Sequence, residues 1–195
     1  YYDGMIRIDL SKQESMIALP FHPSNAYTIH ELQANPEKIL REVEADAKKR
    51  FGDKVEVDLV SKIKDGKVMA DQGIIAGCSG GTYELNHRTK IRRDNLAEAA
   101  SILKNQSVGN DYFTISAYPQ SVPVYMATTR DGVAEELLEA GVVIKPAFCG
   151  PCFGAGDVPA NNGLSIRHTT RNFPNREGSK PGQGQLSLVA LMDAR

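Results

Sequence analysis

Strand-like and helix-like segments alternate along most of the chain, and this alternation limits the possible folds more than any other feature of the sequence. Apolar residues at helical spacing predict helices over 93–105 and 123–140. Short apolar runs predict strands at 74–77, 112–117, 142–144 and 164–168. Strands separated by helices form βαβ units, whose strands lie parallel in one sheet. The sequence therefore predicts an α/β fold with a mainly parallel sheet flanked by helices, of the Rossmann-like three-layer kind.

The N-terminal part of the chain is less regular. Alternating apolar and polar residues predict strands at 5–10 and 55–63, and the second of these is followed by a turn at Asp65-Gly66 and a return strand at 67–69. Residues 11–27 are predicted to be irregular. Thr28 and Glu31 have the spacing of a capping box, and a helix is predicted over 36–51, between Pro36 and Gly52.

The two ends indicate a domain of a longer protein. The chain begins at Tyr1 without a methionine, and the apolar run at 186–191 resembles the first turns of a helix with no stop signal after it. A length of 195 residues is typical of one domain. We expect residues 1–195 to be a single domain of a multidomain protein.

Composition excludes several classes of protein. A net charge of −1 provides no general attraction to nucleic acids or anionic membranes. No apolar run approaches the roughly 20 residues that a transmembrane helix needs. Three cysteines are too few, and odd in number, for a secreted disulfide scaffold. A cytoplasmic protein that uses cysteine for metal or redox chemistry is predicted.

Five residues that can carry chemistry follow the predicted strands. Cys78 follows the strand at 74–77, Cys149 and Cys152 follow the strand at 142–144, and Arg171 and Arg176 follow the strand at 164–168. Ligands of parallel sheets bind beyond the carboxyl ends of the strands. The topology therefore predicts that these five residues meet at one edge of the sheet.

The cysteine spacing allows several kinds of site. Cys149-Gly150-Pro151-Cys152 places two thiolates close enough to bind one metal centre, and the small residues around Cys78 let backbone approach a bulky group. Three thiolates with one open position suit a [4Fe–4S] cluster. The same pattern also fits a zinc site completed by a histidine, or a redox dithiol. Cys78 alone also fits an inert buried cysteine.

The two arginines also have two interpretations. Arg171 and Arg176 lie in one loop, and the forked guanidinium group is suited to binding a carboxylate through two hydrogen bonds. Solvated loop arginines are the alternative, and the pair alone does not decide between them.

Three motifs, taken in their order along the chain, resemble those of a known family. They are Gly73-Ile74-Ile75-Ala76-Gly77-Cys78, Cys149-Gly150-Pro151-Cys152-Phe153-Gly154, and Thr170-Arg171-Asn172-Phe173 through Arg176. Together they resemble the third domain of the aconitase superfamily, which includes isopropylmalate isomerase. The start of the chain, with Pro20-Phe21-His22-Pro23, is also similar to that domain, so the resemblance covers nearly the whole sequence.

This resemblance implies a role for each candidate residue. Cys78, Cys149 and Cys152 would hold a [4Fe–4S] cluster, and Arg171 and Arg176 would bind a carboxylate of a hydroxy di- or tricarboxylic acid. The activity implied is a hydro-lyase, which removes water and returns it at the adjacent carbon. In the family, the serine that abstracts the proton lies on another domain. No catalytic residue is therefore assigned in this chain, and we expect the isolated domain to be inactive.

Two departures from the family pattern lie near the implied site. Cys78 is followed by Ser79-Gly80-Gly81, where the family commonly has Thr-Asn-Ser, and Thr170 takes the place of an asparagine. Both changes lie close to the implied cluster and substrate, so they count against citrate as the substrate but not against the three cysteine ligands. RNA binding, known for cluster-free relatives, is a second hypothesis that would use Arg88, Lys90, Arg92 and Arg93. The neutral net charge argues against it.

Overall fold

A seven-stranded sheet organises the computed structural model, which describes residues 2–109, 111–174 and 182–194. In chain order its elements are β1 (Met16–Ala18), β2 (Ala26–Thr28), α1 (Ile29–Ala34), α2 (Pro36–Phe51), β3 (Ile63–Lys64), β4 (Lys67–Val68), β5 (Gln72–Ile75), α3 (Gly77–Gly80), β6 (Glu84–Leu85), β7 (Arg92–Arg93), α4 (Asn95–Leu103), β8 (Thr114–Ala117), α5 (Val122–Arg130), α6 (Val133–Glu139), β9 (Val143–Ile144), β10 (Gly163–His168) and β11 (Ser187–Met192). Short 3-10 helices lie at Leu10–Lys12, Gly52–Lys54, Val60–Lys62 and Gly150–Cys152.

The main sheet is mostly parallel. Its strand order is β2-β1-β11-β10-β5-β8-β9, and the five strands from β11 to β9 run parallel to one another. β1 pairs antiparallel with β11, and β2 pairs antiparallel with β1. The predicted α/β class with a mainly parallel sheet is confirmed.

Two apolar clusters hold the helices against the sheet. In one, α2 contributes Ile39, Leu40 and Val43, which pack with Leu164 of β10 and Leu188 of β11. In the other, residues of α4 and α6 pack with β8 and β9; the buried members there are Tyr83, Leu96, Ala97, Ala99, Ala100, Ala117, Val133, Leu137 and Val142. α2, α4 and α6 each bury an apolar stripe, as expected for amphipathic helices that cover a sheet.

Helix boundaries follow the local signals, with one exception. α2 occupies the predicted span, and the capping box before α1 is present, because the Thr28 hydroxyl accepts from the Glu31 N–H and the Glu31 carboxylate accepts from the Thr28 N–H. The helix predicted over 123–140 is instead two helices, α5 and α6. Gly132 separates them with a left-handed backbone at φ 80°, which ends the first helix before the second begins.

Three predictions about the ends of the chain are wrong. No strand forms at 5–10, where Met5 and Ile6 are exposed, and the described chain offers no partner strand there. The segment at 11–27, predicted to be irregular, contributes β1 and β2. The run at 186–191 forms the strand β11 and not a helix, because the edges of β10 and β1 both pair with it.

The predicted strand at 55–63 is also wrong for most of its length. A 3-10 helix at Val60–Lys62 occupies its end, and only the hairpin of β3 and β4 around Asp65-Gly66 is confirmed. Glu44 of α2 explains the local conformation, since its carboxylate accepts from the N–H groups of Leu59 and Val60 at 2.6 and 2.8 Å. Within the described ranges, no helix combines the length and apolar character needed to cross a membrane.

Candidate functional site

The carboxyl ends of three parallel strands bring the predicted site residues to one edge of the sheet. Cys78 lies three residues after the end of β5, Cys149 lies five residues after the end of β9, and Arg171 lies three residues after the end of β10. β5 pairs with β10 on one side and with β8 on the other, and β8 pairs with β9. The topological expectation therefore holds for Cys78, Cys149, Cys152 and Arg171. Arg176 lies outside the described residues.

The three cysteines lie close enough to influence one another. A β-carbon placed on Gly77 would lie 3.3 Å from the Cys152 sulfur, so the turn that carries Cys78 lies against Cys152. Burial raises the pKa of the Cys152 thiol, and the neighbouring Cys149 and Cys78 raise it further. The backbone N–H of Thr170 donates to the Cys152 sulfur and opposes this rise in the pKa. Thiols from both loops are therefore close enough to interact.

Exposure differs among the three thiols. Cys152 is buried, at 5% exposure, whereas Cys78 and Cys149 are exposed. The site is therefore closed on the side of the sheet and open on the opposite side. Among the described residues, no group of three or more His, Cys, Asp or Glu side chains has the arrangement that would hold a single metal ion. The thiols that bind a cluster differ in this respect, because each coordinates a different iron.

The turn after Cys78 lies against the ends of two strands. A β-carbon on Gly80 would overlap the backbone oxygen of His168, at the end of β10, and one on Gly81 would overlap the backbone oxygen of Tyr118, just beyond β8. The Ala76 N–H also donates to the His168 oxygen at 3.1 Å. This close approach gives a structural reason for glycine at 80 and 81 in this chain.

Polar atoms without partners surround the same edge. Ser79 Oγ, Thr169 Oγ1 and Asn172 Oδ1 are buried and have no hydrogen-bond partner among the described residues. Ser79 follows Cys78 in sequence, while Thr169 and Asn172 flank Arg171 within two residues. Buried polar groups that lack partners are costly and usually call for an explanation. A polar ligand or cofactor at this edge would give them partners.

Asn172 anchors the loop that carries Arg171. The side-chain amide of Asn172 donates to the backbone oxygen of Leu19 at 2.6 Å. This bond attaches the loop to the segment after β1. Asn172 is buried, at 2% exposure. Arg171 itself is exposed, and its guanidinium donates to Thr170 Oγ1 at 3.1 Å. The arginine therefore projects from a fixed loop beside Thr170, whose N–H contacts Cys152.

Two aromatic residues lie beside Cys149 and Cys152 of the cysteine loop, which comprises residues 149–157. Phe148 precedes Cys149 and Phe153 follows Cys152, and their rings meet edge to face with centroids 6.2 Å apart. About half of each side chain is exposed. The open side of the site therefore has an apolar border as well as a cationic one.

A buried polar layer beneath the cysteine loop was not predicted. Arg167 of β10 is 1% exposed and bonds to Ser165, Gln72 and the cysteine loop. The alternation of Leu164, Ser165, Ile166 and Arg167 is typical of a strand with one solvated face. The missed signal is the parallel sheet itself, since its central strands are covered on both faces and any arginine there must be bonded.

The basic residues of the RNA-binding hypothesis differ in their surroundings. Arg92 donates twice to the Glu136 carboxylate at 2.9 Å, so an acidic side chain neutralises its charge. Arg88, Lys90 and Arg93 are exposed on and around the β6–β7 hairpin.

The family model and the individual relatives that match this chain agree on one family. The model of the Aconitase family (aconitate hydratase) matches residues 1–195. The chain is 28% identical over 194 residues to the 3-isopropylmalate dehydratase large subunit 1 of Methanopyrus kandleri, covering 99% of this chain and 36% of that protein. It is 33% identical over 136 residues to the 3-isopropylmalate dehydratase large subunit of Nitratidesulfovibrio vulgaris, covering 69% of this chain and 29% of that protein.

A third relative matches in the same way. The 3-isopropylmalate dehydratase large subunit of Campylobacter hominis is 28% identical over 196 residues, covering all of this chain and 36% of that protein. The chain thus spans about a third of the length of the curated relatives it matches.

Proposed function

Because this chain belongs to the aconitase family, we propose that it is the cluster-binding domain of a [4Fe–4S]-dependent hydro-lyase. The reaction proposed is the dehydration and rehydration of a hydroxy di- or tricarboxylic acid. One observation carries this proposal: Cys78, Cys149 and Cys152 meet at the carboxyl edge of a parallel sheet, with the turn of Cys78 in contact with the Cys152 sulfur.

The residues at this edge fit a cluster in their chemistry. Thiolate is the ligand that iron–sulfur clusters require, and three thiolates leave one iron without a protein ligand. The Thr170 N–H already donates to the Cys152 sulfur, which is the type of contact that tunes a cluster. The unpartnered hydroxyls of Ser79 and Thr169 are further donors beside the cysteines. When bound, the cluster supplies a Lewis-acidic iron for the substrate's hydroxyl and carboxylate.

Arg171 and Arg176 would bind a second carboxylate of the substrate. Arg171 is exposed on a loop that Asn172 fixes, so its guanidinium can face the open side of the site without losing a buried partner. A forked guanidinium matches a carboxylate through two charge-assisted hydrogen bonds. The curated relatives are named for 3-isopropylmalate, a hydroxydicarboxylic acid, which supports this class of substrate.

The proton-abstracting group is assigned to another part of the protein. We expect the described domain to be inactive alone, and we propose that further domains or a second subunit complete the active site. The relatives are named large subunits, which supports a partner subunit for them. A reducing compartment such as the cytoplasm is where the exposed Cys78 and Cys149 would remain available as thiols.

Anaerobic reconstitution with iron and sulfide tests the proposal. The expected result is a brown protein with broad visible absorption, containing about four irons and four sulfides per chain. Zinc bound in preference to iron, with no visible absorption, would support the structural-zinc alternative. A protein that binds neither metal but cycles between dithiol and disulfide would support the redox alternative. Either outcome would overturn the cluster assignment.

A further inference from the structure

Among the described residues, the most deeply buried charged side chain belongs to Arg167, whose guanidinium contacts the cysteine loop. Arg167 is 1% exposed and occupies β10, which is paired on both sides by β5 and β11. A guanidinium in such a position is unfavourable unless its donors are bonded. The partners of this arginine therefore indicate why the chain tolerates a cation there.

Two of these partners belong to the sheet. Arg167 Nε donates to Ser165 Oγ at 2.8 Å, and Nη2 donates to Gln72 Oε1 at 3.2 Å. Ser165 Oγ also donates to Gln72 Oε1 at 2.7 Å. These bonds to two residues of the sheet fix the orientation of the guanidinium group and the direction of its remaining N–H donors.

Two further acceptors belong to the loop that carries Cys149 and Cys152. Arg167 Nη1 donates to the backbone oxygen of Pro151 at 2.8 Å, and Nη2 donates to the backbone oxygen of Asp157 at 3.0 Å. These two acceptors lie on either side of Cys152 in sequence. One rigid fork therefore attaches the loop to the sheet at two points.

Asp157 has three further contacts, one of which is an ion pair between its carboxylate and Lys145 at 4.0 Å. Gln72 Nε2 donates to its backbone oxygen at 3.1 Å, and the Tyr118 hydroxyl donates to its carboxylate at 2.7 Å. The far end of the loop is therefore fixed by strand β5 and by the residue after β8. The turn of Cys78 has an anchor of its own, because the Asn95 side-chain amide donates to the backbone oxygen of Ser79 at 2.6 Å, whereas the loop acceptors of Arg167 lie outside that turn.

We infer that Arg167 is the positioning residue of the cysteine loop. It holds Pro151 and Asp157 so that Cys152 stays buried against Gly77 before a ligand is bound. The inference rests on the proposed function for what the cysteines bind, but the anchoring itself can be measured in the ligand-free protein. An arginine suits this role because its donors form a fixed planar fork, whereas a lysine has one nitrogen on a flexible stem.

Selective alkylation of the cysteines tests the anchoring. In the reduced, ligand-free protein, iodoacetamide labelling followed by mass spectrometry gives separate rates for Cys152 and Cys78. Arg167→Met should accelerate labelling of Cys152 by about tenfold or more relative to Cys78, because the loop then opens locally. Hydrogen exchange should show the loss of protection confined to 150–157, with β10 and β5 still protected.

Arg92→Met is the matched control. Arg92 is also a partly buried arginine, and it donates to the Glu136 carboxylate and to the backbone oxygen of Asp131. Neither acceptor belongs to the cysteine loop. Its replacement should lower the melting temperature without changing the ratio of Cys152 to Cys78 labelling. Equal acceleration in both variants would mean that general destabilisation is responsible, and the inference would be wrong.

Two more variants keep the test decisive. Arg167→Lys retains the charge without the fork, so it should not restore slow labelling of Cys152. Gln72→Leu removes one anchor of Asp157 and should give a smaller change in the same direction, even if Arg167→Met does not fold. An unchanged labelling ratio in folded Arg167→Lys and Gln72→Leu would overturn the inference.

The same variants separate this inference from the proposed function. If the wild-type protein takes up a cluster, Arg167→Lys should lose it to a chelator several times faster while the initial absorption spectrum is retained. If the wild type takes up no cluster but Arg167→Met still exposes Cys152 selectively, the proposed function fails and the positioning role stands. If the wild type takes up a cluster and labelling ratios do not change, only the positioning role fails.

Discussion

The two faces of strand β10 are packed in different ways. On one face, Leu164 joins an apolar cluster with Leu40 of α2 and Leu188 of β11, and all three side chains are fully buried. On the other face, Ser165 and Arg167 bond to each other and to the cysteine loop. Successive residues of the same strand thus contact a helix on one side and an irregular loop on the other.

This difference indicates that the face of β10 towards the helix mainly stabilises the domain, whereas the face towards the cysteine loop mainly positions that loop. Apolar burial is proportional to area and has little directional preference, so the helix face contributes mainly to the free energy of unfolding. Hydrogen bonds from a guanidinium depend on direction, so the loop face determines where Cys152 lies more than how stable the domain is. If this division is correct, substitutions on the two faces should affect different measurements.

The largest expected effect is at the loop face. Cys152→Ser should prevent cluster assembly and abolish turnover in the complete enzyme, because serine cannot supply the thiolate that iron requires. Iron and sulfide content with visible absorption are the measurements. Cys78→Ser and Cys149→Ser are matched tests, since both sites are exposed and serine there should cost little stability. A cluster retained in any of the three variants would remove that cysteine from the ligand set.

The helix face should respond in stability instead. Leu40→Ala should lower the free energy of unfolding by about 2–5 kcal/mol, because Leu40 is fully buried and the cavity left behind is not refilled. Urea unfolding measures this change. The ratio of Cys152 to Cys78 alkylation under native conditions should stay at the wild-type value. A changed ratio would show that the two faces are coupled, against the division proposed here.

Arg171→Lys is expected to affect turnover and not cluster assembly. Losing a forked, charge-assisted contact is worth about 1.5–3 kcal/mol, or roughly tenfold to a hundredfold in kcat/KM of the complete enzyme. The absorption spectrum should remain that of the wild type. Arg176→Lys should behave in the same way, and Arg50→Lys, on the exposed surface of α2, is the control. Unchanged activity in both loop variants would identify those arginines as solvated residues without a role in binding.

The smallest expected effect concerns Tyr83, in the apolar cluster that α4 and α6 form with β8 and β9. Burial, together with the hydrogen bond to Asp131, raises the pKa of Tyr83 to about 12. An unfolded tyrosine loses its proton near pH 10, so the stability that protonated Tyr83 contributes is complete below pH 10 and is lost as the pH rises towards 12.

Tyr83→Phe should therefore cost about 1 kcal/mol at neutral pH, the value of one hydrogen bond. Its free energy of unfolding should fall less steeply than that of the wild type between pH 10 and 12. Chemical unfolding across this pH range measures both effects. Tyr112→Phe is the control, because Tyr112 is exposed and should show neither change. A variant with the wild-type pH dependence would show that Tyr83 does not titrate as described.

The sequence predicts elements whose signals are local. α2 is correct because an apolar stripe, Pro36 and Gly52 all agree. The edge where Cys78, Cys149, Cys152 and Arg171 meet is also correct, because it follows from strand order in parallel sheets and needs no side-chain detail. The first prediction depends on residues that are close in sequence, and the second depends only on the shared direction of parallel strands.

Features that depend on distant partners were not predictable in this way. The run at 186–191 has no helical or alternating pattern that distinguishes a buried strand from a helix, and pairing with β10 and β1 decides its structure. The alternation at 5–10 is typical of a strand, but no described strand pairs with it. Arg167 was missed because its acceptors lie 10 to 95 residues away along the chain, apart from Ser165.

The contact between Gly80, Gly81 and the ends of two strands has a consequence for how this sequence can diverge. Any side chain at either position would have to displace a backbone oxygen, of His168 or of Tyr118, and those oxygens belong to the strand ends that shape the site. A larger residue at 80 or 81, such as the asparagine and serine common in the family, therefore requires the ends of strands β8 and β10 to shift. In a saturation library selected for a folded protein, these two positions should retain glycine almost alone, while the exposed neighbour Glu84 should accept most residues.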